Sequence, residues 1–192
     1  MTPILGCLAL GICGQSQTLT YVPRQVTVLV VPSVNASGDK YEAMKARQCK
    51  ESDDTLHRLF SSRGFNVLSS ENCAQMLNNR RGALTGVSNQ TTDTLYQLGH
   101  EVGAQLVVFT KITHTWQKPV FVLVVPTQAG FATFETWLLD VPNHKAILAA
   151  STCESKSTAI TESGSERQTR AVRLGLESQL NPFLQQYSEI KK

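Results

Sequence analysis

Apolar residues recur along this chain with two different periods, and each change of period marks a new element. The run "QVTVLVVPSV" (25–34) is rich in valine, uncharged, and closed by turn residues, which predicts a strand covered on both faces. "NASGDK" (35–40) then supplies turn chemistry, with Gly38 free to take positive φ and Asn or Asp able to bond nearby backbone. From about Ser52 the spacing becomes helical: Leu56, Leu59, Phe60 and Arg63 share a stripe, Tyr41 and Met44 carry it backwards, and Gly64 ends it. A short strand "FNVLS" (65–69) is followed by a helix capped by Ser70 and running through Leu77, with Cys73, Met76 and Leu77 inward. "NNRRGALTGVSNQT" (78–91) reads as a polar surface connection.

The stretch "LYQLGHEVGAQLVVFTKI" (95–112) tests the reading, because its His-Glu pair and spaced glycines suit several chemistries. A zinc helix would need a second ligand four residues after His100, and position 104 is Ala. A phosphate loop would need its glycines to open a helix, whereas here they close one. Leu95, Leu98 and Val102 form one stripe, Asp93 suits the first turn, and Gly103 falls at the C-terminal cap before the apolar run 106–109. The expectation is therefore helix, cap and strand.

Four further strands are predicted between residues 104 and 157, joined as an antiparallel meander by short turns. The first continues to about Thr115, and "PVFVLVVP" (119–126) is read as a separate strand bounded by prolines, with 128–130 turning the chain. "FATFETWLLDV" (131–141) is apolar on both alternating sets, which makes it central, and "AILAASTCESK" (146–156) returns after the turn "PNHK". Ser163 and Glu166 form a capping box for a last amphipathic helix over 163–190, whose inner face is Val172, Leu176, Leu180, Phe183, Leu184 and Tyr187. Pro182 is expected to kink it or start a new segment. The order β-α-β-α-α-β-β-β-β-α predicts an α/β fold with a mixed sheet of about six strands, helices on its face or faces, and a C-terminal amphipathic helix.

Charged residues are 17% of the chain, below the average of about 25%, so the surface leans on uncharged polar residues. The net charge of +3 is scattered, and Arg80-Arg81 is too thin a patch for a nucleic-acid face. No charge precedes Arg24, and the apolar run from Pro3 to Cys13 has the length of an export-signal core. Residues 1–16 are thus expected to be a signal peptide or lipoprotein signal, and residues 17–192 one α/β domain. A cleaved soluble form starting near Gln17 and a lipid anchor at Cys7 or Cys13 both remain open. Cys49, Cys73 and Cys153 match no zinc spacing and read as small buried thiols, with any pairing among them undecided.

Candidate chemistry is sparse. His57, His100, His114 and His144 fall on separate elements, and Asp53-Asp54 reads as an acidic pair at a helix start. No nucleophile elbow, P-loop or paired-carboxylate motif occurs, so no catalytic, cofactor-binding or metal residue is assigned and no cofactor is expected. Recognition then falls to loops, since scaffold residues are committed to packing. The candidate partner-binding residues are Asn35, Asp39 and Lys40, Arg80 and Arg81, and Trp116 with Lys118, with Trp116 either an exposed anchor or a buried sheet-edge residue.

Three segments together resemble a bacterial envelope superfamily: "VTVLVVPSVNASGD" (26–39) its opening strand and turn, "LGHEVGAQLVVFTKI" (98–112) its helix-strand signature, and "TFETWLLDVPNHKAIL" (133–148) its closing hairpin. The superfamily includes the amino-terminal domain of TolB, the secretion lipoprotein CsgG, and lipoprotein activators of peptidoglycan synthases. The resemblance spans about residues 25 to 157 and implies an anticodon-binding-like fold, export, and action by protein contacts without catalysis or cofactor. It places the chain in the periplasm or on the outer membrane, with envelope proteins as partners, no nucleic acid, and membrane association only through a lipid anchor. An envelope enzyme with an unrecognised site, or a component of a secretion or assembly complex, stands as the alternative.

Overall fold

A computed structural model describes residues 22–68, 77, 80–122, 125–155 and 163–185. After a 3-10 turn at Pro23–Gln25 come β1 (Thr27–Val30), β2 (Val34–Asn35), α1 (Glu42–Ser61) and β3 (Asn66–Leu68). Next are α2 (Arg81–Thr85), α3 (Ser88–Val102), β4 (Leu106–Val122), β5 (Val125–Asp140), β6 (Lys145–Ser155) and α4 (Gly164–Gln185). The expected α/β fold with a mixed sheet is what forms. The strand order is β3-β1-β4-β5-β6, with β2 continuing beside β4 on the same side as β1. β1 pairs in parallel with β3 and β4, and β4, β5 and β6 run antiparallel.

Helices cover both faces. α1 and α4 pack on one, over Val28, Val30, Leu106, Val108, Ile112, Phe134 and Leu138, with Val172, Leu176, Leu180 and Leu184 of α4 pointing in as expected. α3 packs on the other, placing Leu95 and Leu98 against Leu29, Val107, Phe109, Trp137 and Leu139. α3 can lie this close because residue 99 is glycine: a Cβ there would come within 2.6–2.7 Å of Val141 and Val107 methyls. The two glycines of the 95–112 stretch thus have separate jobs, since Gly103 takes φ 70° and returns the cap hydrogen bonds of α3. A side chain at 103 would meet open space, so Gly103→Ala isolates the backbone cost. It is expected to lower stability by about 1–2 kcal/mol in a urea titration.

Several boundaries differ from the sequence reading. The Val-rich run 25–34 is two strands, because the chain leaves β1 at Val31–Ser33 and rejoins β4 only at Val34. α1 starts at Glu42, well before Ser52 as the backward stripe suggested, although Tyr41 lies just outside it and is exposed; this puts Asp53 and Asp54 in its middle rather than at a helix start. Likewise α3 begins at Ser88, so Asp93 lies beyond its first turn. The supposed connection 78–91 holds α2 and the start of α3, with Leu84 and Thr91 buried. Apart from a buried Leu77, the helix expected over 70–77 lies outside the described residues, as do Cys73, Tyr187 and the segment 1–16. α4 runs unbroken through Pro182.

The largest correction concerns residues 119–126. Residues 119–122 close β4 and residues 125–126 open β5, so they are not a separate strand but the far end of the β4–β5 pairing, in which Lys118 pairs with Ala129, Pro119 with Gln128 and Val122 with Val125. Prolines 119 and 126 suggested strand boundaries because proline cannot donate to a ladder. Here both lie past the last pairs of β2 (Asn35 with Ile112) and β6 (Ser155 with Gly130), where among the described residues no further strand pairs with them. Among the described residues the last five pairs of β4 and β5 touch no other strand, which makes an arm about 17 Å long.

Candidate functional site

The arm's root is built by a one-residue irregularity. Ile112 pairs with Phe134 but His114 pairs with Thr133, leaving Thr113 bulged and its hydroxyl donating to the Thr133 carbonyl at 3.2 Å. Side chains alternate along a strand, so an extra residue exchanges the two faces beyond it. Ile112 points under α4, whereas His114, Trp116 and Lys118 emerge on the side of α3, in register with Thr133, Phe131 and Ala129. The apolar cluster beneath α3 ends at Phe109 and Trp137, and the next side chain outward, Lys111, is tied to the Gly86 carbonyl at 3.0 Å. Trp116 and its neighbours lie past that cover.

There they form a strip. The Trp116 and Phe131 rings stack at 5.0 Å with 6° between planes, and His114 stands 5.3 Å from the indole. Lys118 sets its ammonium 5.4 Å from the Phe131 ring centre, a cation–π contact. Trp116 and Phe131 are half-buried, while His114 and Lys118 are exposed. The two readings of Trp116 thus meet in one arrangement: one ring face is stacked and the side chain stays partly in solvent.

The opposite side of the root is clamped by the first turns of α4. The capping box forms as expected, Glu166 N–H donating to Ser163 Oγ and Ser163 N–H to the Glu166 carboxylate. Buried Arg167 donates to the Gln128 carbonyl, and Gln117 donates to Gln168 at 3.4 Å. Gly130 lies against the backbone of Arg167 and Gln168.

The other candidate residues are placed unevenly. Lys40 and its neighbour Tyr41 are exposed on the loop leaving β2, which branches from the sheet beside Ile112 at the arm's root. Asn35 is occupied: it donates to Gln48 at 2.6 Å and accepts the Ser37 N–H. Asp39 accepts the Tyr41 N–H, shaping the turn. Arg80 is held by two hydrogen bonds to Glu101 at 3.0 and 2.6 Å, which lower the Glu101 pKa and answer what the His100-Glu101 pair is for. Arg81 opens α2. Lys40, Trp116 and Lys118 therefore belong to one end of the molecule, and Arg80 does not join them. Sequence reading missed His114, Phe131 and Tyr41. Phe131 and His114 flank Trp116 only once the hairpin register and the bulge are known.

Elsewhere, an open groove of about 450 Å³ lies between α1 and α4, lined by Glu51, Asp54, Thr55, Arg58, Arg173, Leu174 and Glu177. Its charges are paired across the helices, Arg58 with Glu177 at 2.6 Å and Arg173 with Glu51 at 3.7 Å, so it ties α1 to α4. Cys49 is a free thiol, and burial, then Asp53, pushes it up to about 11, which keeps it protonated at neutral pH. Among the described residues no group of three or more His, Cys, Asp or Glu is placed to hold a metal, and no helix is long and apolar enough to cross a membrane.

No family model matches the chain, and no curated protein matches it. Among solved structures it is similar to the lipoprotein GNA1162 from Neisseria meningitidis, at 15% identity and a TM-score of 0.48, covering 81% of this chain and 99% of that one. It is also similar to a PelC dodecamer from Paraburkholderia phytofirmans (16% identity, TM-score 0.44, 82% and 90% covered). A third is the LpoB C-terminal domain from Salmonella enterica (16% identity, TM-score 0.44, 71% and 86% covered). GNA1162 and LpoB are bacterial lipoproteins, and likeness this loose says nothing of what the present chain binds.

Proposed function

We propose that this chain is a non-catalytic protein of the bacterial envelope that is exported and works by binding another envelope protein at the root of its arm. The observation that carries this is the uncovered strip of Trp116, stacked on Phe131 and flanked by His114 and Lys118. A half-buried indole fixed by stacking has already lost its rotamer freedom, stacked aromatic side chains are what interface centres use, and Lys118 beside them suits a polar rim. Lys40, on the loop that branches beside Ile112, is exposed at the same end of the molecule. The resemblance of residues 25–157 to the envelope superfamily supports the compartment and the absence of a cofactor. Residues 1–16 act as the export or lipoprotein signal, and residues 17–192 form the working part. The partner is a protein rather than nucleic acid, since the strip carries little positive charge.

Affinity capture from an envelope extract tests this. The full chain is expected to retain a defined protein partner, and Trp116→Ala, with unchanged circular dichroism, to weaken that capture about tenfold or more. Equal capture by the variant, or hydrolytic turnover by the purified chain, would sink the reading.

A further inference from the structure

The arm has a tip as well as a root, and the tip differs in chemistry. Phe121 is 76% exposed, the most exposed large hydrophobic residue among those described, and its ladder partner is Pro126. No charged residue occurs between Lys118 and Glu135. Beyond Lys118 the arm is therefore an uncharged two-stranded projection, held at its root by α4 and, among the described residues, paired with no other strand at its end. Phe121 is not a lone surface apolar residue: it belongs to the unbroken apolar run 119–126 of the sequence, and contiguous apolar surface of that kind marks a site of protein or membrane contact.

We propose that the tip of the β4–β5 arm, centred on Phe121 and Val120, inserts into the surface of a lipid bilayer. Three observations favour lipid over a protein groove or a second copy. An aromatic side chain covers roughly 150–250 Å², while a specific protein interface needs about 1,000 Å² in total; a bilayer sets no such minimum. The residues also follow the order of a membrane boundary, with the apolar tip outermost, Lys118 behind it, and the Trp116–Phe131 stack behind that. Finally, the five pairs that stand clear fall short of the 9–11 residues a spanning strand needs. The open strand edges hold the tip to the interface, about 5–10 Å deep, where water still reaches the backbone. The insertion is independent of the protein contact at the root.

The test uses the full chain and vesicles of phosphatidylethanolamine and phosphatidylglycerol, with identical N-termini in every variant so that residues 1–16 contribute equally. Phe121→Asp is expected to cut vesicle partition about tenfold or more, while Val87→Asp, at an exposed apolar residue off the arm, leaves it unchanged. Phe121→Trp is expected to bind like the native chain and to have its added fluorescence quenched by brominated acyl chains. Three results would each overturn the proposal: unchanged partition of Phe121→Asp, bound but unquenched Phe121→Trp, or loss of self-association or of a captured protein in Phe121→Asp without loss of lipid binding. Matching circular dichroism of both Phe121 variants confirms that a loss reports on the tip and not on folding.

Discussion

Gly130→Ala is expected to lower the melting temperature by about 6–12 °C, the largest effect of any single methyl group added to this protein. Residue 130 lies where β5 passes beneath the first turns of α4, and a Cβ there would run into the backbone of Arg167 and Gln168. A side chain could swing aside, but a helix backbone can yield only by lifting α4 off the arm root. Overpacking of this kind costs up to about 3 kcal/mol, and each kilocalorie moves the midpoint of a chain this size by about 2–4 °C. Gly82→Ala is the matched control: it sits inside α2 with nothing within 4 Å of the new Cβ. There the better helix former is expected to stabilise slightly. Thermal denaturation of the two variants side by side gives the answer, and equal midpoints would mean that α4 does not clamp the arm.

Asp53→Asn is expected to stabilise the protein at neutral pH by roughly 3 kcal/mol and to make no difference near pH 3.5. Asp53 sits mid-way along α1 facing β1–β2, where its carboxylate accepts the Ser33 N–H at 2.8 Å beside the Ser33–Ser52 hydroxyl pair. Burial pushes its pKa from 3.8 up to about 6, more than the Ser33 hydrogen bonds pull it down. Below pH 3.8 both folded and unfolded chains hold the proton, so the residue costs nothing. Between 3.8 and about 6 the unfolded chain ionises first and stability falls as pH rises, and above that the cost stays constant. Asparagine keeps the acceptor for Ser33 and drops the charge. Urea titrations of both proteins across that range should converge on acidification; a native chain that instead gained on the variant at higher pH would show the carboxylate to be stabilised by its site.

The layers of this fold were legible because burial and periodicity coincide. Leu95 and Leu98, the Val172-to-Leu184 stripe and the two apolar sets of β5 each announce the face they bury, and Ser163 with Glu166 announces a cap through its own side chains. Strand extent was not legible in the same way. Whether Pro119 and Pro126 end a strand depends on whether a neighbour needs their missing N–H, and among the described residues β2 and β6 pair no further out than Ile112 and Gly130. The candidate site was half visible for a related reason. Trp116 and Lys118 stood out as residue types, but the face they occupy follows from the bulge at Thr113, which no spacing rule marks. Asp53-Asp54 misled because two adjacent acids suit a helix start, and only the packing of Asp53 on Ser33 explains one of them mid-helix.

Contact at the arm root is the claim on which the functional reading turns. The most direct measurement is photo-cross-linking in living cells from a probe amino acid placed at Lys118, compared with one at exposed Asn143 in the turn between β5 and β6. A discrete protein adduct from position 118 and none from 143 is the expected result. Adducts of equal yield from both positions, or none from 118, would contradict it.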